Sequence, residues 1–271
     1  MPRDNHSTFH FLTALSIQPE KPLFVFLPGM DGTGKLLQLQ LDNGLGNVFD
    51  IRCLAIPPND VSTWDLLAQK VVALLRVELR QHPRRVVYLC GESFGGCLAL
   101  KVALKAPDLF HRLILVNPAS CFNQRPWMHM GSHVSAWLPP AFYPLSAIAL
   151  LPFLAALGRI GPRERKALLA AMQSVPQHIS AWRVNLLRDF EISAEELAQI
   201  SQPVLSIAAT ADRLLPSAAE STRLVRYIPD AKQVLLPQSG HASLLETDVN
   251  LYQILQENHF LPTTAIASTA R

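Results

Sequence analysis

A chain of 271 residues, 49% hydrophobic and 17% charged, is long enough for one large α/β domain with an inserted subdomain and apolar enough for a big core. Its net charge of +3 is small and scattered, which excludes a nucleic-acid-binding face, and its four cysteines (Cys53, Cys90, Cys97, Cys121) have neither C-x-x-C nor metal-ligand spacing. Buried thiols in a reducing compartment are expected, and the polar opening without a signal-peptide core sets the expectation of a cytoplasmic protein.

Residues 9–17 read as one or two opening strands. Residues 23–27 are continuously apolar, as a strand buried on both faces of a parallel sheet requires. They lead into Pro28-Gly29-Met30-Asp31-Gly32-Thr33-Gly34 and a short helix near 35–41. A strand over 51–56 follows. Ser62-Thr63-Trp64-Asp65 reads as a capping box, with Ser62 as N-cap and Asp65 reaching back. The helix it opens carries Trp64, Leu67, Ala68, Val71, Val72, Leu75 and Leu79 on one face, a stripe that covers a sheet.

The next apolar run, 86–90, ends in Gly91-Glu92-Ser93-Phe94-Gly95 and passes into a small-residue helix reaching about Lys105. Strand, tight turn and helix around G-x-S-x-G form a nucleophile elbow, which lifts a serine hydroxyl clear of the sheet. The glycines are needed because a side chain there would collide with the neighbouring strand or helix. A further strand spans 113–116. Alternating strands and helices of this spacing predict an α/β fold with a mostly parallel, doubly wound sheet. Ligands on such sheets bind outside the carboxyl ends of the strands, where both the Gly29 loop and Ser93 fall.

The alternation breaks between residues 118 and 200, where helical patterns replace strands. One lies at 163–173, and another puts Ile179, Trp182, Leu186 and Phe190 on a common face. This segment reads as a helical cap inserted into a core made of residues 1–117 and 201–261, with 262–271 a flexible tail. No Asp, Glu, Lys or Arg occurs between Arg125 and Arg159. Pro139, Pro140, Pro144 and Pro152 argue against a membrane span, which leaves either a buried cap or a greasy lid. As a lid, with Leu150 and Phe153 as its substrate-facing residues, it would admit a long-chain substrate or touch a bilayer surface. The core resumes with a strand at 204–209, a helix at 217–227, a strand at 233–236 and a closing helix over 242–257.

A serine hydroxyl needs a base, and the base an orienting carboxylate. Of nine histidines, only His241 follows a final strand, in Ser-Gly-His. Asp212 directly follows the 204–209 strand, completing the chain order Ser, Asp, His of the α/β-hydrolase arrangement. Glu92 is too close to Ser93 in sequence to reach behind His241, and Asp31 sits in the front loop. The oxyanion hole is assigned to the amides of Phe94 and Met30. The Gly29–Gly34 loop fails the phosphate-binding pattern because Leu36 stands where Ser or Thr is needed, and neither a metal nor a dinucleotide motif is present, so no cofactor is expected.

The motifs Phe26-Leu27-Pro28-Gly29-Met30-Asp31-Gly32-Thr33-Gly34, Gly91-Glu92-Ser93-Phe94-Gly95-Gly96-Cys97-Leu98-Ala99-Leu100, Asn117-Pro118-Ala119 and Gly240-His241 resemble the hydrolase half of the plant and cyanobacterial phytyl ester synthase family. The resemblance implies a serine esterase or acyltransferase with Ser93, Asp212 and His241 as its triad, acting on acyl-lipid or phytyl-type esters near thylakoid membranes. Longer members of that family carry a second domain with an H-x-x-x-x-D motif. None of the nine histidines here has an aspartate five residues later, so hydrolysis is the expected chemistry. Acyl transfer by the same triad and a non-catalytic lipid-binding role are the alternatives.

Overall fold

In the computed structural model, which describes residues 8–124 and 143–262, the strands join in a seven-stranded sheet of order β1-β3-β2-β4-β5-β6-β7. They are β1 (His10–Thr13), β2 (Leu23–Leu27), β3 (Asp50–Ala55), β4 (Val87–Glu92), β5 (Arg112–Val116), β6 (Val204–Ala209) and β7 (Ala231–Leu236). β1 pairs antiparallel with β3, and every other pairing is parallel. The uninterrupted apolar runs that marked β2, β4 and β6 are explained by their position, since each is buried along its whole length with helices on both faces.

One face packs against α1 (Trp64–Leu79) and α2 (Phe94–Lys105) through Leu67, Val71, Leu75, Leu98 and Val102. The other is covered by short helical turns at 38–48 and by residues 244–260. Two local expectations are corrected. The N-cap of α1 is Thr63, whose side chain accepts from the Leu66 amide. Ser62 instead donates its hydroxyl to Asp60, two residues earlier, and Asp65 accepts from Gln69 one turn on and from Lys105 of α2, so other polar partners occupy both members of the expected box. The closing helix is also shorter than its sequence pattern. A single 3-10 turn, Ser243–Leu245, precedes α8 (Leu251–Glu257). Between them the Gln40 side chain takes the Leu244 and Val249 carbonyls and the Leu251 amide, bonds a continuous helix would have satisfied internally.

Between β5 and β6 lie α3 (Tyr143–Leu154), α4 (Pro162–Gln173), α5 (Gln177–Arg188) and the single turn α6 (Ala194–Leu197), followed after β6 by α7 (Ser217–Tyr227). Ala119, Cys121, Phe122, Leu187, Phe190, Ile192, Leu197 and Ile200 join the same apolar cluster as α1 and α2, so both ends of this insertion are rooted in the main core. The buried stripe of α5 is Ile179, Arg183 and Leu187, and Phe190 packs beyond the helix end. Residues 125–142 of the apolar segment and 263–271 of the expected tail lie outside the described residues. Among the described residues, no helix is long and apolar enough to cross a membrane.

Candidate active site

Ser93 ends β4 and N-caps α2 with φ 52° and ψ −115°, a strained conformation for a non-glycine residue. The turn closes because nothing larger than hydrogen fits on either side. A Cβ on Gly95 would stand 2.0 Å from the Leu27 carbonyl oxygen, and one on Gly91 would stand 2.3 Å from that of Gly95. The Ser93 amide donates to Val116 (3.0 Å) and its carbonyl accepts from Ala119 (3.1 Å), tying the elbow to the end of β5. The positive end of α2 therefore faces the serine.

The structure brings Ser93, His241 and Asp212 into one hydrogen-bonded line. His241 Nε2 lies 2.8 Å from Ser93 Oγ, and His241 Nδ1 lies 2.7 Å from Asp212 Oδ2. An ionised carboxylate only accepts, so Nδ1 carries the proton donated to Asp212 and Nε2 is left to accept from the serine hydroxyl. Asp212 is itself held: Oδ1 accepts from the Leu214 (2.8 Å) and Leu215 (2.9 Å) amides, and Oδ2 accepts from Ser217 Oγ (2.5 Å). Burial opposes ionisation of Asp212, but the His241 charge and these hydrogen bonds outweigh it and hold the carboxyl below its usual range. Burial likewise opposes charging of His241, yet Asp212 and the neighbouring Glu92 carboxyl raise the imidazole above its ordinary value.

Several residues that sequence reasoning passed over hold this line together. Asn117, buried and with φ 43°, donates from Nδ2 to the His241 carbonyl (2.7 Å) and to Ser243 Oγ (3.1 Å), while its Oδ1 accepts from the Ala209 amide (2.7 Å). One side chain thus joins the ends of β5 and β6 to the histidine loop. Its only sequence signal was its place at the head of Asn-Pro-Ala. Glu246 is fully buried, accepts from the Gly240 amide (2.7 Å) and pairs with Arg159 (2.5 Å) from the insertion.

The loop after β2 borders the serine. A Cβ on Gly29 would lie 3.9 Å from Ser93 Cβ. The Gly29 carbonyl accepts from the Gly32 amide (3.0 Å), which in a trans peptide turns the Met30 N–H the opposite way. Asp31 accepts from both the amide and the hydroxyl of Thr33. Burial raises the Asp31 carboxyl despite these bonds and the Arg183 charge. Burial also pushes Glu92 up to about 7, the attraction of His241 being partly cancelled by repulsion from Asp31. Glu92 thus stays off the His241–Asp212 contact but feels the imidazole's charge. Phe94, whose amide opens α2, packs its ring against Trp64, with centroids 4.5 Å apart and the planes tilted by 32°.

Leu150 (42% exposed) and Phe153 (47% exposed) point from α3 toward solvent. Phe153 and Leu157 line a cavity of about 370 Å³, whose other wall is Ala211, Arg213 and Gly240, the immediate neighbours of Asp212 and His241. All four cysteines are free and buried, and burial pushes Cys53 and Cys121 up to about 12. Among the described residues, no cluster of His, Cys, Asp or Glu could hold a metal ion.

A mostly parallel, doubly wound sheet with a strand–elbow–helix at its centre and a helical insertion after the fifth strand is the α/β-hydrolase fold. The chain belongs to the hydrolase family described as serine aminopeptidase, S33, which matches residues 58–248. It is 31% identical over 261 residues to phytyl ester synthase 1, chloroplastic, of Arabidopsis thaliana, a match covering 88% of this chain and 37% of that one. The chain thus spans little more than a third of that relative's length. It is 32% identical over 240 residues to a putative carbamate hydrolase RutD of Pseudomonas savastanoi, covering 83% of this chain and 88% of that one. A hydrolase from Oleispira antarctica, olei00960, superposes with a TM-score of 0.74 over 94% of both chains at 16% identity.

Proposed function

We propose that this protein is a serine carboxylic ester hydrolase acting on a lipophilic acyl or phytyl-type ester through an acyl-enzyme intermediate. The observation that carries the reading is the unbroken Asp212–His241–Ser93 hydrogen-bonded line at the carboxyl ends of the strands. Ser93 Oγ attacks the ester carbonyl while His241 Nε2 takes its proton. Asp212 keeps the imidazole in the productive tautomer and stabilises its charge. The amides of Phe94 and Met30 receive the developing oxyanion, and His241 then protonates the leaving alcohol. Water, deprotonated by the same imidazole, attacks the acyl-enzyme and releases the acid.

The preference for a greasy ester is supported by α3, where Ile148, Leu150 and Phe153 present apolar side chains to solvent beside the histidine loop. A lid of this kind suits a substrate drawn from a lipid surface. The similarity to phytyl ester synthases favours a second reading, in which a long-chain alcohol replaces water in deacylation. Incubation with p-nitrophenyl esters of acetate and laurate, with and without added phytol, tests both. Free acid is expected from the parent protein, more rapidly from laurate, and an accumulating phytyl ester would turn the reading to acyl transfer. Ser93→Ala is expected to lower turnover at least about 1,000-fold with the fold intact, and parent-level turnover in that variant would refute the nucleophile.

A further inference from the structure

Arg183 is an anomaly for a surface helix of an insertion. It is 2% exposed and sits in the middle of the buried stripe of α5, between Ile179 and Leu187. Burying a guanidinium is costly unless its donors are satisfied, so the sites it is drawn to are informative. One terminal nitrogen donates to the Met30 carbonyl at 2.5 Å, and the other reaches the Pro57 carbonyl at 3.4 Å. The guanidinium lies directly over Gly32, where a Cβ would come within 2.8 Å of it. Its charge also acts on the Asp31 carboxyl. Every one of these contacts falls on the loop after β2 or on the chain that supports it.

That loop is fixed from two directions. From within, the Gly32 amide holds the Gly29 carbonyl, and the Ile56 amide holds the Gly32 carbonyl at 2.8 Å. From outside, Arg183 holds the Met30 carbonyl. The two bonds pin the peptide units on either side of the Met30 Cα, and with them the direction of the Met30 N–H. A hydrogen-bond donor aimed at developing charge is effective only when it is held in place before the charge appears. The helix bearing Arg183 is itself anchored, with Trp182 Nε1 donating to the Ser62 carbonyl (3.2 Å) and Trp64 Nε1 donating to the Leu186 carbonyl (2.8 Å).

We infer that Arg183 is a positioning residue for the oxyanion hole: by gripping the Met30 carbonyl from the insertion, it holds the peptide after Met30, and with the Gly32–Gly29 bond on the peptide before it keeps the loop in the conformation that aims the Met30 N–H at the reacting carbonyl, so that α5 supports the catalytic apparatus. This rests on the serine-hydrolase reading. It adds that the insertion contributes to the rate of the chemical step as well as to substrate choice.

The test compares Arg183→Gln with the parent on a matched pair of substrates, a p-nitrophenyl ester and its thiono analogue, in which C=S replaces C=O and accepts hydrogen bonds poorly. The parent's rate advantage for the oxo ester reports how well the donors are aimed. In Arg183→Gln, kcat for the oxo ester is expected to fall roughly 10- to 100-fold with KM nearly unchanged, and the oxo-over-thiono advantage to shrink by about the same factor. Arg183→Lys, which keeps one donor within reach of a carbonyl, is expected to recover part of both. If Arg183→Gln does not fold, Arg183→Met, which fills the same buried space with an apolar stem and removes every donor, is expected to give the same collapse of the ratio. A parent-like ratio, or equal losses on both esters, would overturn the inference. Its failure is distinct from failure of the hydrolase reading, because the latter is reported by Ser93→Ala on the oxo ester alone.

Discussion

Two helices of one insertion meet the site in opposite ways. α5 has a mixed sequence and is tied down by side chain-to-backbone hydrogen bonds from Trp182, Arg183 and the opposing Trp64. α3 is almost wholly apolar, yet it leaves Ile148, Leu150 and Phe153 between 42% and 48% exposed. Its link to the site is at its C-terminal end, where the Ala242 amide donates to the Leu154 carbonyl (2.8 Å) and Arg159 meets Glu246. Apolar content is thus a poor guide to which helix organises the centre. α5 is the rigid half, since its polar groups find specific partners, while α3 leaves a greasy surface uncommitted.

The largest effect is expected where the rigid half meets the chemistry. Asp212→Asn keeps the shape but cannot hold the productive tautomer, and kcat/KM is expected to fall by about 1,000- to 10,000-fold. The proposed mechanism requires a neutral imidazole, so the parent's acid limb should lie above pH 6.5, the ordinary histidine value, and should move to lower pH in the variant. A pH–rate profile of both proteins checks this, and an unmoved limb would mean that another group governs it.

Next in size is a stability effect at Glu92. Its folded-state pKa is raised from 4.5 to about 7, so the parent has this contribution in full below pH 4.5 and loses it as pH rises through 7. Glu92→Gln is therefore expected to be more stable than the parent at pH 8 by up to about 3 kcal/mol, with the difference vanishing near pH 4. Urea unfolding at the two pH values measures it, and an equal difference at both would exclude titration of Glu92 as the cause. The smallest effect belongs to the uncommitted helix. Phe153→Asp or Leu150→Asp is expected to slow laurate ester turnover about tenfold while changing acetate ester turnover little. Equal losses on both esters would place the damage in the fold instead.

The parts of this architecture that could be read from sequence are those whose cause is local. The elbow around Ser93, the glycine-rich loop at Gly29 and the strand ends at Asp212 and His241 each announce themselves within a few residues, because a strand must end before a turn can begin. The bonds that hold these pieces together were not legible. Asn117 joins loops lying 92 and 124 residues further along the chain, and Arg183 reaches back 153 residues to Met30. Neither has a neighbour in sequence that hints at its partner. The same long-range bonding, from Gln40, kept residues 246–250 out of the closing helix, whereas the N-cap of α1 moved from Ser62 to Thr63 through a local competitor, the Asp60 carboxylate two residues before Ser62.

The central claim is that Ser93 is a nucleophile activated by His241. Its most direct measurement is the mass of the folded protein after exposure to a fluorophosphonate, with the modified peptide located by sequencing. A single adduct on Ser93, absent from Ser93→Ala and strongly slowed in His241→Ala, is the predicted result. A folded parent protein that takes no label, or takes it at another residue, would contradict the account.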